Sequence, residues 1–192
     1  MKLSIIIPVY NEKNTIEEVL TRVINAPVLN YEKEIIIVDD YSQDGTRASL
    51  EELKNKYVFI YLRHEKNFGK GRAIKTGVAN ITGDIVIIQD AVLAYDPNDY
   101  QLLLAALNEQ NIVVYGSRNI HPNRRSYSRY ALGAWIITKL GNLLYGIKLT
   151  DMYTCYKLLP AAFIKSIQWE SAGFEFEAEV TAKLLRGGDQ SE

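Results

Sequence analysis

Five short runs rich in β-branched residues punctuate the chain, at residues 3–9, 34–38, 57–62, 84–88 and 112–115. They are nearly continuously apolar, which is the pattern of strands covered on both faces. Between them the period changes. Ile16, Val19, Leu20 and Val23 recur at helical spacing, with Asn14 and Glu17 placed as a capping box. Asp96-Pro97 supplies an N-cap and a Pro at the first helical position, and Leu103, Leu104 and Leu107 follow on one face. This strand–helix alternation predicts a single α/β domain with a mostly parallel sheet and helices on both faces.

After Tyr115 the rhythm stops. Residues 116–130 are polar and aperiodic, with Arg118, Arg124, Arg125 and Arg129 among them, and read as a long loop. A helix over 129–145 is expected to bury Leu132, Trp135, Ile136, Leu140 and Leu143. Residues 150–185 read as a further strand and helix whose place in the sheet the pattern does not specify, and 187–192 as a polar tail.

The composition is that of an ordinary globular chain: 192 residues, 47% apolar and 23% charged. A net charge of −1 gives no general attraction to nucleic acid or anionic lipid. The single cysteine, Cys155, excludes an internal disulfide framework and a cysteine-based zinc site and fits a reducing, cytoplasmic compartment. Pro8 and Glu12 interrupt the N-terminal run too early for a secretory signal. Lys139, Asn142 and Lys148 interrupt the apolar stretch 130–149, where spanning a bilayer would place a charge near its centre at a cost of about 3 kcal/mol.

In an open α/β sheet, ligands sit beyond the carboxyl ends of the strands. The residues there are Tyr10-Asn11-Glu12 after the first run, Asp39-Asp40 with Ser42, Asp44 and Gly45 after the second, and His64 with Asn67-Phe68-Gly69-Lys70-Gly71 after the third. Gln89-Asp90-Ala91-Val92 follows the fourth and Gly116-Ser117-Arg118 the fifth. Carboxylates, a glycine-flanked lysine and an arginine on one edge suit an anionic ligand that carries hydrogen-bonding sugar or base groups. Simpler roles exist for each: Asp40, Ser42 or Asp44 as helix caps, Gly69 and Gly71 as turn formers, and the arginine loop as a solvated surface. A glycine-rich entry to a helix also presents N–H groups where a phosphate binds. His64 and His121 read as turn or surface residues, and no His/Cys spacing supports zinc. The dinucleotide fingerprint is absent after the first strand, and Gly69-Lys70-Gly71 lacks the spacing of a P-loop. A phosphoacceptor receiver domain does not fit either, because the paired acids follow the second strand.

Residues 5–12, 38–46 and 67–73, in this order and spacing, resemble the successive motifs of family 2 glycosyltransferases with the Rossmann-like GT-A fold. Residues 89–97, 115–118 and 150–157 resemble most closely the branch of dolichol- and polyprenyl-phosphate mannose or glucose synthases. The resemblance runs from about residue 3 to residue 186. It implies transfer of a sugar with inversion from a UDP- or GDP-linked donor, such as UDP-glucose or GDP-mannose, to a lipid-linked phosphate acceptor. Residues 1–116 would bind the nucleotide and 117–186 the acceptor, with peripheral contact at the cytoplasmic face of a membrane and no nucleic-acid partner.

The resemblance also implies roles. Pro8, Tyr10 and Glu12 would line the base and ribose pocket, Asp39 would accept from a base N–H, and Asp40 would stand beside it. Gly69, Lys70 and Gly71 would follow the ribose and diphosphate, and Asp90 with Ala91 the ribose or a metal. Arg118 and Arg129 would grip the acceptor phosphate with their planar forks. Asp151 would orient the acceptor or Lys157. A phosphate monoester carries about −1.5 to −2 charge at neutral pH and attacks without a general base. The leaving diphosphate needs Mg²⁺, Mn²⁺ or fixed cations.

Two departures stand out. The metal motif of the family is Asp-x-Asp, and here Val92 takes the second Asp position, leaving Asp90 as a weak metal site; an aliphatic side chain does not coordinate either cation. Relatives continue beyond the last helix into a further strand, a basic loop and often membrane helices, so a shortened form or a metal-site variant is expected. The rival to an active transferase is a catalytically silent nucleotide-sugar-binding module, favoured by Val92.

Overall fold

The computed structural model describes residues 1–109, 112–117, 128–173 and 175–186, with backbone alone at 128–132 and 134. Among these residues six strands form one sheet: β1 (Lys2–Val9), β2 (Glu32–Asp39), β3 (Ile60–Arg63), β4 (Ile85–Ile88), β5 (Val114–Tyr115) and β6 (Lys157–Pro160). Their order is β3-β2-β1-β4-β6-β5. β1 to β4 are mutually parallel, and β6 runs antiparallel to both β4 and β5. The central register pairs Ile5 with Ile35 and with Ile87.

Seven helices accompany the sheet among the described residues: α1 (Ile16–Asn25), α2 (Thr46–Leu53), α3 (Lys70–Asn80), α4 (Tyr100–Ala106), α5 (Ser128–Tyr145), α6 (Ala161–Ser166) and α7 (Phe176–Leu185). Strand alternation divides the core between them. Leu3, Ile5, Ile7 and Val9 pack with Val19, Leu20 and Val23 of α1 and with Leu50 and Leu53 of α2. Ile6, Ile36 and Val38 pack on the opposite face with Ala73, Ile74 and Val78 of α3 and with Phe176 and Val180 of α7. The sheet is thus covered on both sides, as its unbroken apolar strands predict.

Local chemistry departs from expectation at two helix starts. No side chain caps α1; its flanking residue is Thr15, whose hydroxyl donates to Glu12 Oε2 at 2.6 Å, and the Asn14–Glu17 capping box does not form. Asp96 does cap, accepting from Asn98 N–H at 3.0 Å, but the turn it opens is a single 3₁₀ turn, Pro97–Asp99, ahead of α4.

The burial expected of α5 is corrected. Trp135, Ile136, Leu140 and Leu143 are 57%, 44%, 53% and 80% exposed, and Leu132 lies outside the described side chains. The covered side of the helix is made of small residues instead. Thr138 Oγ1 accepts the Met152 N–H at 3.1 Å, and a Cβ on Gly141 would lie 2.1 Å from the Met152 methyl group. Asn142 exchanges two hydrogen bonds with the Leu149 backbone. Apolar residues surround most of this helix, so its period does not reveal which stripe meets the sheet. No helix among the described residues is long and apolar enough to cross a membrane.

Candidate functional site

A cavity of about 350 Å³ opens at the carboxyl ends of β1, β2 and β4. Pro8, Tyr10 and Glu12 line it from the first strand end and Asp40 from the second. Gly69 and Lys70 reach it from the start of α3, and Asp90, Ala91 and Val92 from the end of β4. Val9, Asn67 and Ala73, which lie in the sequence motifs but received no role there, and Gly173, which sequence reasoning missed, complete the wall. Gly173 has no side chain and so carries no chemical signal of its own.

The loops after β1 and β2 are stitched together. Asn11 N–H donates to Ser42 Oγ at 2.9 Å, Gln43 N–H to Asn11 Oδ1 at 2.8 Å, and Glu12 N–H to Thr46 Oγ1 at 2.8 Å. Asp44 accepts from Thr46 and Lys13 backbone N–H groups, so it does anchor the start of α2. Tyr41 adopts φ 71°, a strained conformation for a bulky residue, and the Arg63 guanidinium stacks 5.7 Å from its ring.

The paired acids of the second strand end have different tasks. Asp40 accepts from Phe68 N–H at 2.9 Å, Gly69 N–H at 2.7 Å and His64 Nδ1 at 2.6 Å. His64 in turn meets Thr76 Oγ1 at 2.8 Å, so it is an interior linker rather than a surface residue. Asp39 is fully buried and does not line the cavity; Ser42 N–H donates to Oδ1 at 2.8 Å and the Tyr61 hydroxyl to Oδ2 at 3.1 Å.

The two glycines serve close packing. The segment 169–173 lies against the start of α3, and a Cβ would fall 2.4 Å from Ala172 O at Gly69 and 2.2 Å from Ser171 O at Gly71. Gly71 N–H donates to Ala172 O at 2.6 Å and Trp169 Nε1–H to Gly71 O at 3.2 Å. The Phe68, Gly69 and Gly71 N–H groups therefore have protein partners, which corrects the expectation that this loop offers them to phosphate. Gly71 does not line the cavity.

The cationic feature of the wall is a side chain. Lys70 Nζ lies 2.7 Å from Asp90 Oδ1 and 3.0 Å from Glu177 Oε1, and Glu177 also pairs with Lys157. Burial opposes ionisation of Asp90, but Lys70, a hydrogen bond with Cys155 and the charge of Lys157 together hold the carboxyl below its usual range. Burial likewise opposes charge on Lys70, and Asp90 and Glu177 hold its pKa well above the ordinary value. Burial raises Glu12, against a hydrogen bond from Thr15, with Asp44 and Asp90 adding to the rise. Behind the site, the hydroxyls of Tyr100 and Tyr156 both donate to Gln89 Oε1, at 2.6 and 2.7 Å, and Gln89 Nε2 donates to Asp90 O at 2.9 Å. This buried triad fixes the backbone that carries Asp90.

Lys157 and Asp151 do not reach the cavity. Lys157 is fully buried, donating to Glu177 and to Thr154 O, and Asp151 is buried at 4% exposure. Arg118 and the Arg129 side chain lie outside the described residues. The donor set does not fit Mg²⁺ or Mn²⁺: Asp90 is paired with an ammonium, Val92 presents methyl groups, and no group of three or more His, Cys, Asp or Glu among the described residues is placed to hold an ion.

Residues 4–167 match the sequence family described as Glycosyl transferase family 2. The chain belongs to that family. The chain is 37% identical over 121 residues to the dolichol-phosphate mannosyltransferase of Pyrococcus furiosus, a match covering 62% of this chain and 34% of the relative. It thus spans about a third of that relative's length. Among solved structures it is similar to glucosyl-3-phosphoglycerate synthase from Mycobacterium tuberculosis in complex with Mn²⁺, UDP and phosphoglyceric acid, with TM-score 0.72, 19% identity and coverage of 97% of this chain and 65% of that one. It also resembles TarS of S. aureus, with TM-score 0.57, 21% identity and coverage of 86% and 48%. These two likenesses establish the fold.

Proposed function

We propose that this chain carries the donor site of an inverting glycosyltransferase that moves a sugar from a UDP- or GDP-linked donor to a polyprenyl or dolichyl phosphate or a similar phosphate-bearing acceptor. The observation that carries the reading is the cavity itself, where Lys70 and Asp90 meet at the carboxyl ends of β1, β2 and β4. Tyr10, Pro8 and Glu12 give it one wall suited to a base and ribose, and Lys70 gives the other wall a cation suited to a diphosphate. Asp39 acts at the base in this reading, and Asp151 and Lys157 support the acceptor half of the chain.

A phosphate acceptor needs no base to deprotonate it, so the site must chiefly align donor and acceptor and stabilise the leaving diphosphate. Attack opposite the leaving group inverts the anomeric centre. Arg118 and Arg129 hold the acceptor phosphate in this scheme. Support for a lipid-linked acceptor comes from the exposed Trp135, Leu143 and Leu144 of α5 and from the likeness to a dolichol-phosphate mannosyltransferase. This reading places the chain at the cytoplasmic face of a membrane without spanning it.

Calorimetry against a panel of UDP- and GDP-sugars, followed by assay of nucleoside diphosphate release with a polyprenyl phosphate, tests the proposal. Saturable binding of one sugar nucleotide and acceptor-dependent release are expected. Val92 favours one other reading, a module that binds the nucleotide sugar without turning it over; binding without release would establish it.

A further inference from the structure

Four buried or half-buried charges alternate beside the cavity: Asp90, Lys70, Glu177 and Lys157, joined pairwise. Glu177 is 2% exposed and Lys157 fully buried, so this pair is closed within the protein. Lys70 and Asp90 are the members that face the cavity. The set is neutral as it stands, and each carboxylate has an ammonium in contact.

That arrangement conflicts with a divalent cation. An ion on Asp90 would stand against the Lys70 ammonium, which lies 2.7 Å from the same carboxylate oxygen, and the two positive charges would repel at close range. Val92, at the position where a second carboxylate would balance such an ion, is 38% exposed, lines the cavity and has no oxygen in its side chain. The same features suit a resident cation. A lysine ammonium is a compact charge of the kind that binds phosphate oxygens, and Glu177 with Lys157 beneath it holds this one at the wall.

We propose that Lys70 is the cation of the donor-diphosphate site and that the nucleotide binds there without a divalent metal. The inference rests on the nucleotide-sugar reading given above.

Calorimetric titration of the chain with UDP and with GDP, in EDTA and in Mn²⁺, tests it. The nucleotide that binds is expected to do so equally in both buffers, within about twofold. Lys70→Met is expected to weaken that binding by about tenfold or more, with Lys70→Arg retaining part of it. Val92→Asp, which leaves the buried cluster untouched, is expected to make binding tighter in Mn²⁺ than in EDTA. Binding by the parent only in Mn²⁺ overturns the inference and leaves the nucleotide-sugar reading standing. Parent-like binding in EDTA by a folded Lys70→Met protein also overturns it. Absence of binding by either nucleotide in both buffers removes the nucleotide-sugar reading and the inference together.

Discussion

Asp40 Oδ2 accepts the Gly69 N–H at 2.7 Å, so a residue at the end of β2 sets the backbone at the start of α3. The same carboxylate accepts from Phe68 N–H and meets His64 Nδ1. Asp40→Ala leaves these buried donors unpaired and is expected to lower stability by about 3 kcal/mol, read from urea unfolding. Nucleotide binding should weaken with it, because the loop that presents Lys70 loses its anchor.

Gly71→Ala drives a methyl group to 2.2 Å from the Ser171 carbonyl oxygen, a backbone atom that has no rotamer to escape by. A loss of about 2 kcal/mol or more is expected in the same unfolding experiment. Gly133→Ala is the control. Its Cβ meets nothing within 4 Å among the described residues, and alanine in a helix interior should raise stability by up to about 1 kcal/mol.

Asp39 is tied to Ser42 and Tyr61 in the structure, while the functional reading places it at the nucleotide base. Asp39→Ala is expected to cost about 1–3 kcal/mol of nucleotide affinity by calorimetry. A folded variant that binds UDP or GDP as tightly as the parent leaves Asp39 as a residue that shapes the turn after β2, with no part in nucleotide binding.

Glu179 accepts from the N–H groups of Glu170 and Ser171 and pairs with Lys183 at 3.1 Å. Burial works against its charge, but the hydrogen bonds prevail and set its pKa at about 2. A carboxyl depressed on folding contributes stability above its unfolded pKa of about 4.3, and that contribution is lost as pH falls toward the folded value. The thermal midpoint should therefore drop between about pH 5 and pH 2, and Glu179→Gln should flatten that limb.

α5 presents Trp135, Leu143 and Leu144 to solvent, with the Lys139 ammonium 5.9 Å from the Trp135 ring centre. Flotation with anionic vesicles is expected to carry the chain upward, and the double substitution Leu143→Glu, Leu144→Glu to leave it at the bottom. Parent protein that remains at the bottom removes the membrane contact from the proposal.

The parallel half of the sheet was legible because strands covered on both faces must be almost wholly apolar, and such runs recur between segments of helical period. β6 was not, since Lys157 opens it and Pro160 closes it, and both argue locally against a central strand. The distant Glu177, with the Thr154 carbonyl, makes a buried lysine there acceptable. Counting from strand ends located most of the cavity wall, but it gave Asp39 and Asp40 the same standing. Which of two adjacent acids faces a cavity depends on the turn at Tyr41, whose positive φ no local pattern announces. The exposure of α5 escaped for a related reason: an apolar period marks a face to be covered without saying what covers it.

The placement of β6 constrains the order in which the molecule can be assembled. β5 precedes it in the chain, yet β5 joins the sheet only through pairs with Leu158 and Lys157. As the polypeptide leaves the ribosome, β4 keeps an open apolar edge until residue 160 has emerged, and β5 has no neighbour to pair with. The N-terminal parallel strands can form early, but the sheet closes in one late event that adds two strands at once, and a chain stopped short of β6 exposes the edge of β4 to pairing with other chains.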